Sequence, residues 1–317
     1  MLMHLAIVVL LLGTLLNDYV LPRTFPWFNL LSLMFPVLMI INIVLCIFWT
    51  AMWKKRAVFF LLISFIFFKP VQRWVNFTAE SGVKPNLKIV TMNIKNGSMG
   101  REKLYDYLVS TKADIIIGQE CGSELNIPGY PYKTDEYQIV ALNSKYRIVK
   151  QEKLAKSGNG NSFYADININ GKIIRIVNVY LNPFSFDKQK VRPAEDLEEN
   201  KVKMKYVLKR LIPTFKIHQD EVSDVREAID HSPYPVILAG DFNSVPNSYE
   251  YYTLGKGLTD AFVTAGKGSA TSFHDYKFPI RIDYIFVSET IKTVSYRVDR
   301  SIKLSDHFPV IGEFKID

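Results

Sequence analysis

Eight side chains spread through 317 residues share one chemical theme: Asn93, Glu120, Tyr180, Asp241, Asn243, Asp283, Asp306 and His307. Carboxylates and amide oxygens, with no thiolate and one imidazole among them, suit a hard divalent cation such as Mg2+ or Mn2+. The adjacent Asp306 and His307 suit moving a proton or stabilising an oxyanion. Together these groups describe cation-assisted attack of water on a phosphate ester. Each also has a plainer use. Asn93 can turn a strand, Glu120 can be a solvated charge, and Asp241 with Asn243 can form a turn. Tyr180 can be a packed aromatic. Asp283 is the exception, because it lies among apolar residues in Arg281-Ile-Asp-Tyr-Ile-Phe286. An unpaired carboxylate there would be costly, so it needs a partner, and His307 is the best candidate.

These residues recur at the ends of expected strands. Asn93 follows an alternating strand at 87–92. Glu120 follows a buried-type strand at 114–118 with three consecutive isoleucines. Tyr180 ends a hairpin whose arms, 162–169 and 172–181, flank Asn170-Gly171, a pair suited to a tight turn. Asp241 and Asn243 follow an apolar strand at 236–238. Asp283 lies within a strand at 281–287, and Asp306-His307 precedes the last strand, 308–314. Further strands are read at 137–142, 146–149 and 294–298, and helices at 101–111, 194–211, 219–230 and 249–254. Loops at strand ends on a rigid sheet are where convergent sites are built. Many strands and few long helices give an α/β fold class: two packed, mostly antiparallel sheets with helices outside them.

The N-terminal quarter has a different character. Stretches 5–16, 28–53 and 57–68 carry no charge, and tryptophans at 27, 49, 53 and 74 lie near their ends. Three transmembrane helices are expected, the third reaching spanning length if Lys69 snorkels. Gly13-Thr14 is a poor signal-peptide cleavage site, which disfavours the alternative of a removable leader. The densest cationic loop, Lys54-Lys55-Arg56, is placed in the cytoplasm by the positive-inside rule. Three spans then put the rest of the chain on the extracytoplasmic face of a bacterial inner membrane. The expected division is an anchor at 1–76, a polar linker at 77–84 and a catalytic domain at 85–317. Of the net charge of +8, the anchor supplies +5 and the rest +3. A broad cationic face for nucleic acid is therefore not implied. With 48% apolar residues and two cysteines, the chain is neither disordered nor a disulfide scaffold.

Five ordered stretches resemble the endonuclease/exonuclease/phosphatase superfamily, whose members include nucleases, sphingomyelinases and inositol-phosphate phosphatases. They are Ile89-Val-Thr-Met-Asn93, Ile117-Gly-Gln-Glu120, Val236-Ile-Leu-Ala-Gly-Asp-Phe-Asn243, Arg281-Ile-Asp-Tyr-Ile-Phe286 and Ser305-Asp-His307. The hydrophobic N-terminus, with Leu21-Pro-Arg-Thr-Phe-Pro, is also similar to that of membrane-anchored bacterial members. The resemblance implies a four-layer α/β sandwich. It implies Glu120 as main metal ligand, helped by Asn93 and Asp306. Asp241 would position or deprotonate water, and Asn243 would hold the phosphate or that water. His307, oriented by Asp283, would contact a phosphoryl oxygen or act as base, so the base stays open between Asp241 and His307. Tyr180 stands where many phosphodiesterases of the family carry His and where exonuclease-III-like members carry Tyr. The partner expected is a phosphate ester, nucleic acid first and a lipid headgroup as alternative, with the lipid bilayer itself as the second partner. Lys95, Asn96, Arg281 and His274 are read as solvated or structural, and Asp260 as a cap.

Overall fold

A computed structural model describes residues 1–78, 81–122, 125–134, 139–154, 161–184, 194–275 and 279–317. Four helices come first: α1 Leu2–Leu15, α2 Trp27–Ala51, α3 Arg56–Ser64 and α4 Phe68–Gln72. The rest alternates strands and helices. Its strands are β1 Val75–Phe77, β2 Leu87–Asn93, β3 Ile115–Gln119, β4 Tyr132–Lys133, β5 Val140–Ser144, β6 Ile148–Lys153, β7 Phe163–Ile169, β8 Lys172–Tyr180, β9 Val236–Asp241, β10 Thr259–Asp260, β11 Lys267–Ser269, β12 Asp283–Val287, β13 Ile291–Val298 and β14 Val310–Ile316. Its helices are α5 Arg101–Ser110, α6 Leu197–Asp230, α7 Tyr249–Gly255 and α8 Ala261–Ala265.

Two six-stranded sheets form, in the orders β13-β14-β2-β3-β5-β4 and β10-β12-β9-β8-β7-β6. Within each, one pair is parallel, β2 with β3 and β8 with β9. Period-two side-chain alternation explains the four layers. Ile89, Ile117, Leu142, Phe163, Ile176 and Ile285 meet between the sheets. The alternate positions Val90 and Ile116 pack under Leu104 and Leu108 of α5. On the other side, Val177 and Leu238 pack under Val222 and Val225 of α6. The isoleucine triplet is thus buried on both faces, as a central strand requires.

Local differences from the sequence reading have identifiable causes. The helices expected at 194–211 and 219–230 are one helix, α6, capped by Asp196 and carrying Pro213 inside. Proline removes one backbone hydrogen bond, but Phe215, Val222, Val225 and Ile229 are buried and hold the axis on course. Tyr137 and Gln138 of the expected strand 137–142 lie outside the described residues. The third expected span is divided into α3, a 3-10 turn Phe65–Phe67 and α4, which contains Pro70. Among the described residues, α2 is the one helix long and apolar enough to cross a membrane. The segments on either side are shorter.

The N-terminal helices contact the domain through polar groups. Asn17 Nδ2 and Ser32 Oγ donate to the carbonyl of Asn247 at 2.9 and 2.7 Å. Asn29 Nδ2 donates to the Glu250 carboxylate at 2.9 Å. Arg73 donates to Asn247 Oδ1 at 2.7 Å. β1 pairs antiparallel with β11, so Val75–Phe77, at the boundary expected between anchor and linker, is a strand. These contacts use the 3-10 turn Leu16–Asp18 just after α1, the start of α2 and the residue after α4. Helix direction therefore sends Met1 and the Lys54-Lys55-Arg56 turn to the opposite end. There, Asn42 bridges His4 at 3.0 Å and Ser64 at 2.8 Å, tying three helices together.

Asp260 caps α8, as its residue type implied, and its two oxygens also take Arg281 Nη1 and Nη2 at 2.8 and 2.7 Å. Arg281 is fully buried and donates as well to the carbonyl of Arg73. Asp260→Ala would strand that guanidinium. A loss of ~3–5 kcal/mol is expected, the cost of breaking a buried pair. Denaturant unfolding of the full chain measures it, and a loss below 1 kcal/mol (roughly the surface-pair range) would show the pair to be superficial.

Candidate active site

Register, more than any single residue, assembles the site. Asn93 pairs with Gln119 at the carboxyl ends of β2 and β3, and Glu120 follows directly. Tyr180 pairs with Asp241 at the carboxyl ends of β8 and β9. Antiparallel β12 begins with Asp283 opposite Asp241. Asp306 and His307 arrive in the loop before β14, where Phe273 bridges to His307. All eight residues therefore meet at one end of the two sheets. Between the sheets just below, Gln119 Nε2 donates to Asn178 Oδ1 at 2.8 Å and to Thr91 Oγ1 at 3.2 Å. Asn178 Nδ2 donates in turn to the carbonyls of Gly118 and Ala141. These buried amides brace the two sheets at the level of the site.

Backbone conformation marks the same place. Glu120 has φ 50° and Asn243 φ 46°, in the left-handed region that non-glycine residues rarely occupy. Gly240, at φ 139°, precedes Asp241, and a Cβ there would lie 2.0 Å from the carbonyl oxygen of Val179. Only glycine lets β9 lie this close to β8.

The carboxylates fall into two groups. In the first, Asn93 Nδ2 donates to Glu120 Oε1 at 2.9 Å and to Asp241 Oδ2 at 3.1 Å. The Tyr180 hydroxyl donates to the same Glu120 oxygen at 3.0 Å. Burial and the neighbouring Glu120 and Asp241 carboxylates raise the Tyr180 pKa far above that of a free phenol, so it stays a donor. Asp306 accepts from Lys95 Nζ at 2.5 Å, and Asp275 lies 3.8 Å from that nitrogen. Burial opposes the Lys95 charge, but Asp306, Asp275 and Glu120 outweigh it and lift the lysine above its ordinary value. Burial likewise works against the Asp306 charge, yet Lys95 and His307 hold it below the usual carboxylate range.

In the second group, His307 Nδ1 donates to Asp283 Oδ2 at 2.8 Å, and Nε2 lies 3.9 Å from Asp241 Oδ2. The partner demanded by Asp283 is thus His307. Ligand atoms of Asp241, Asp283 and His307 all lie within 4.8 Å of one another, the one group of three or more His, Cys or acidic side chains this close among the described residues. Burial disfavours charge on the imidazole, but Asp283 and Asp241 overcome it and push His307 up to about 9. Burial and the Asp283 charge push Asp241 up to about 7, against the pull of His307. A protonated imidazole between two buried carboxylates accounts for this cluster without a metal. Hard oxygen donors also stand elsewhere in the cleft: Glu120 and Asp306 both line one cavity with Asn243 and His307. The ammonium of Lys95 beside Asp306 shows that this part of the site stabilises a cation.

Asn243 N donates to Asp241 Oδ1 and its amide to the carbonyl of Leu181, both at 2.8 Å, so it fixes the Asp241 carboxylate. Lys95 is the site residue that sequence reasoning underrated. Its signal was position, two residues past a strand-end asparagine. Gln119 is a brace below the site. Replacing Asp283 by Asn removes the charge that sustains the imidazolium. In EDTA, His307 should titrate at about 9 in the native chain and near or below the free-histidine value of ~6.5 in Asp283→Asn. Nitrogen-15 NMR of the ring reads this directly, and an unmoved titration would refute the pairing.

The family model described as Endonuclease/Exonuclease/phosphatase family matches residues 90–307. A family described as a domain of unknown function matches residues 1–74. No curated protein matches the chain. Among solved structures, the 3' phosphatase NExo from Neisseria bound to product DNA hairpin has a TM-score of 0.54 at 20% identity, covering 73% of this chain and 100% of that one. The 3'-5' exonuclease NExo from Neisseria meningitidis gives 0.51 at 21% identity, covering 72% and 100%. An endonuclease/exonuclease/phosphatase family protein from Bacteroides thetaiotaomicron gives 0.52 at 16%, covering 74% and 96%. These likenesses establish a shared α/β sandwich, and the family match extends over every residue from the Val90 strand to His307: the chain belongs to the Endonuclease/Exonuclease/phosphatase family.

Proposed function

We propose that the chain is a membrane-anchored, divalent-cation-dependent phosphoester hydrolase. The observation that carries this reading is the Asp283–His307 pair set beside Asp241, with Glu120 and Asp306 offering oxygen donors in the same cleft. Glu120 and Asp306 would hold the cation, with Asn93 and Tyr180 fixing Glu120. Mg2+ or Mn2+, when bound, would offset negative charge on the phosphoryl group and the departing oxygen. The Asp/Asp/His cluster already contains its positive charge and is read as proton-handling machinery.

Asp241 is the proposed base. Its elevated pKa, about 7, lets it take a proton near neutral pH, while His307 at about 9 is already protonated. Asp241 orients a water and takes its proton as the water oxygen bonds to phosphorus. The bond from phosphorus to the alcohol oxygen breaks, and the proton is returned to that oxygen. His307 donates from Nε2 to a phosphoryl oxygen, held in aim by Asp283. Asn243 keeps Asp241 in place through its backbone N–H.

The anchor is proposed to be three spans over residues 1–76, with the domain outside the cytoplasm. Supporting this, the cationic Lys54-Lys55-Arg56 turn lies at the end of the helices away from the domain. For the substrate, Tyr180 and the likeness to DNA-processing NExo structures favour nucleic acid. A lipid phosphate ester is the second reading, favoured by the small net charge outside the anchor and by the apolar wall described below.

Incubating the solubilised full chain with bis(p-nitrophenyl) phosphate should give turnover that EDTA abolishes and Mg2+ or Mn2+ restores. Turnover indifferent to EDTA would refute cation dependence. His307→Ala and Asp241→Asn should each lower kcat by ~10²–10³ or more, the range for losing a transition-state donor. Unchanged melting temperatures would separate this from unfolding. Retention of full kcat in both variants would end the assignment.

A further inference from the structure

A cavity of about 350 Å³ joins the active site to the N-terminal helices. At one end lie Glu120, Asn243, Asp306 and His307. The remaining wall is hydrocarbon and aromatic: Leu33 of α2, Val207, Leu211 and Phe215 of α6, and Phe184 and Val245 from loops. The polar side chains in that part, Asn29, Ser244 and Ser248, each have a protein partner, Ser244 Oγ lying 3.4 Å from His218 Nδ1. The Asn29 amide donates to Glu250 and accepts from Tyr249 N, and the Ser248 hydroxyl accepts from Tyr251 N. A polynucleotide would set sugars and further phosphates against this wall, where none of the lining side chains among the described residues is a cation. An alkyl chain on the phosphate would instead be buried, at ~25 cal/mol per Å² of apolar surface.

The location of the wall supports the same ligand. Leu33 is six residues into the one described helix long and apolar enough to cross a membrane, about 9 Å from its domain end at 1.5 Å per residue. Farther along α2, Met34, Val37, Ile40 and Ile47 are exposed, as lipid-facing side chains would be. The first half of α6 exposes Val202 and Met204 among Lys201, Lys205, Lys209 and Arg210. Apolar and cationic side chains mixed on one exposed helix suit the headgroup layer of an anionic membrane.

Resting on the hydrolase reading above, we infer that this cavity is the subsite for the hydrocarbon chain of a lipid phosphate ester. The phosphate lies at Glu120, Asp306 and His307, and the chain runs between α2 and α6 toward the bilayer. The N-terminal helices then form part of the substrate site as well as a tether. Leu33 and Val207, which are only half-buried, determine how well a chain fits.

The full chain held in amphipol is given p-nitrophenyl phosphodiesters bearing methyl, butyl, octyl and dodecyl groups, with Mg2+. kcat/KM should rise by about fourfold per buried methylene (~0.8 kcal/mol each) until the cavity is filled. Leu33→Trp and, independently, Val207→Trp should flatten that slope. In EDTA, calorimetry should show dodecyl phosphate binding at least a hundredfold tighter than inorganic phosphate, a readout independent of turnover. Vesicles of phosphatidylglycerol and of a polyprenyl phosphate identify whether an acyl or an isoprenoid chain is taken. Equal turnover of methyl and dodecyl esters, or faster cleavage of a single-stranded oligonucleotide, overturns the subsite while leaving the hydrolase reading intact. Failure of every ester, methyl included, overturns the hydrolase reading, and the EDTA binding result then decides the subsite by itself.

Discussion

Three ionisable groups share a space from which water is largely excluded, and the rest of the site is arranged around that fact. Asp241 and Asp283 sit on adjacent strands, directly opposite one another, and are 1% and 0% exposed. Two buried carboxylates so placed cannot both be charged unless a cation stands with them. His307 supplies it, donating to one acid and lying near the other. The same neighbours make the imidazole a durable donor and leave Asp241 poised to accept a proton. Neither property belongs to either residue alone. Each is a consequence of the register between β9 and β12 and of a loop that delivers His307.

The second constraint is the seam between the N-terminal helices and the domain. It is made of side-chain amides, a hydroxyl and an arginine meeting a backbone carbonyl, a side-chain amide oxygen and a buried carboxylate. Such contacts are directional, so they fix where α2 lies relative to α6 and hence the shape of the cleft between them. His218 belongs to this seam. Its two ring nitrogens face Glu250 Oε1 at 2.8 Å and the carbonyl of Asn182 at 2.7 Å. With acceptors on both sides, the ring is best satisfied as the cation. Burial works against that charge, but the Glu250 bond raises the imidazole above its ordinary value and lowers the acid. Glu250 in turn accepts from Asn29 of α2. A chain of polar contacts therefore runs from an apolar helix to the loop after β8, beside the carboxylates of the candidate site.

Much of this was legible in the chain. Alternation and the isoleucine triplet placed β2, β3, β7, β8 and β12 within a few residues of their bounds, because side-chain period follows directly from burial on one or both faces. Asp283 announced its need for a partner, since a carboxylate among apolar residues has no other way to be stable. Asp260 was legible as a cap, but its pairing with Arg281 was not, as nothing local joins residues 21 positions apart. Lys95 was underrated for the same reason. A lysine after a strand looks solvated until Asp306 and Asp275 are brought to it from the far end of the chain. The single helix α6 was hidden by Pro213, whose local penalty is outweighed by packing on the sheet.

Sequence alone determined the inventory: which groups can bind a hard cation, which can carry a proton, and which stretch is apolar enough to leave water. These are properties of residue type and short-range spacing. Tertiary structure decided the pairings, because protonation state and affinity depend on what lies within a few ångströms, and the two parallel strand pairs and the seam set those distances. It also decided that the apolar helices border the same cleft as the carboxylates. Separate stretches of sequence cannot express that adjacency, since it is created only when the N-terminal helices dock on the sheets.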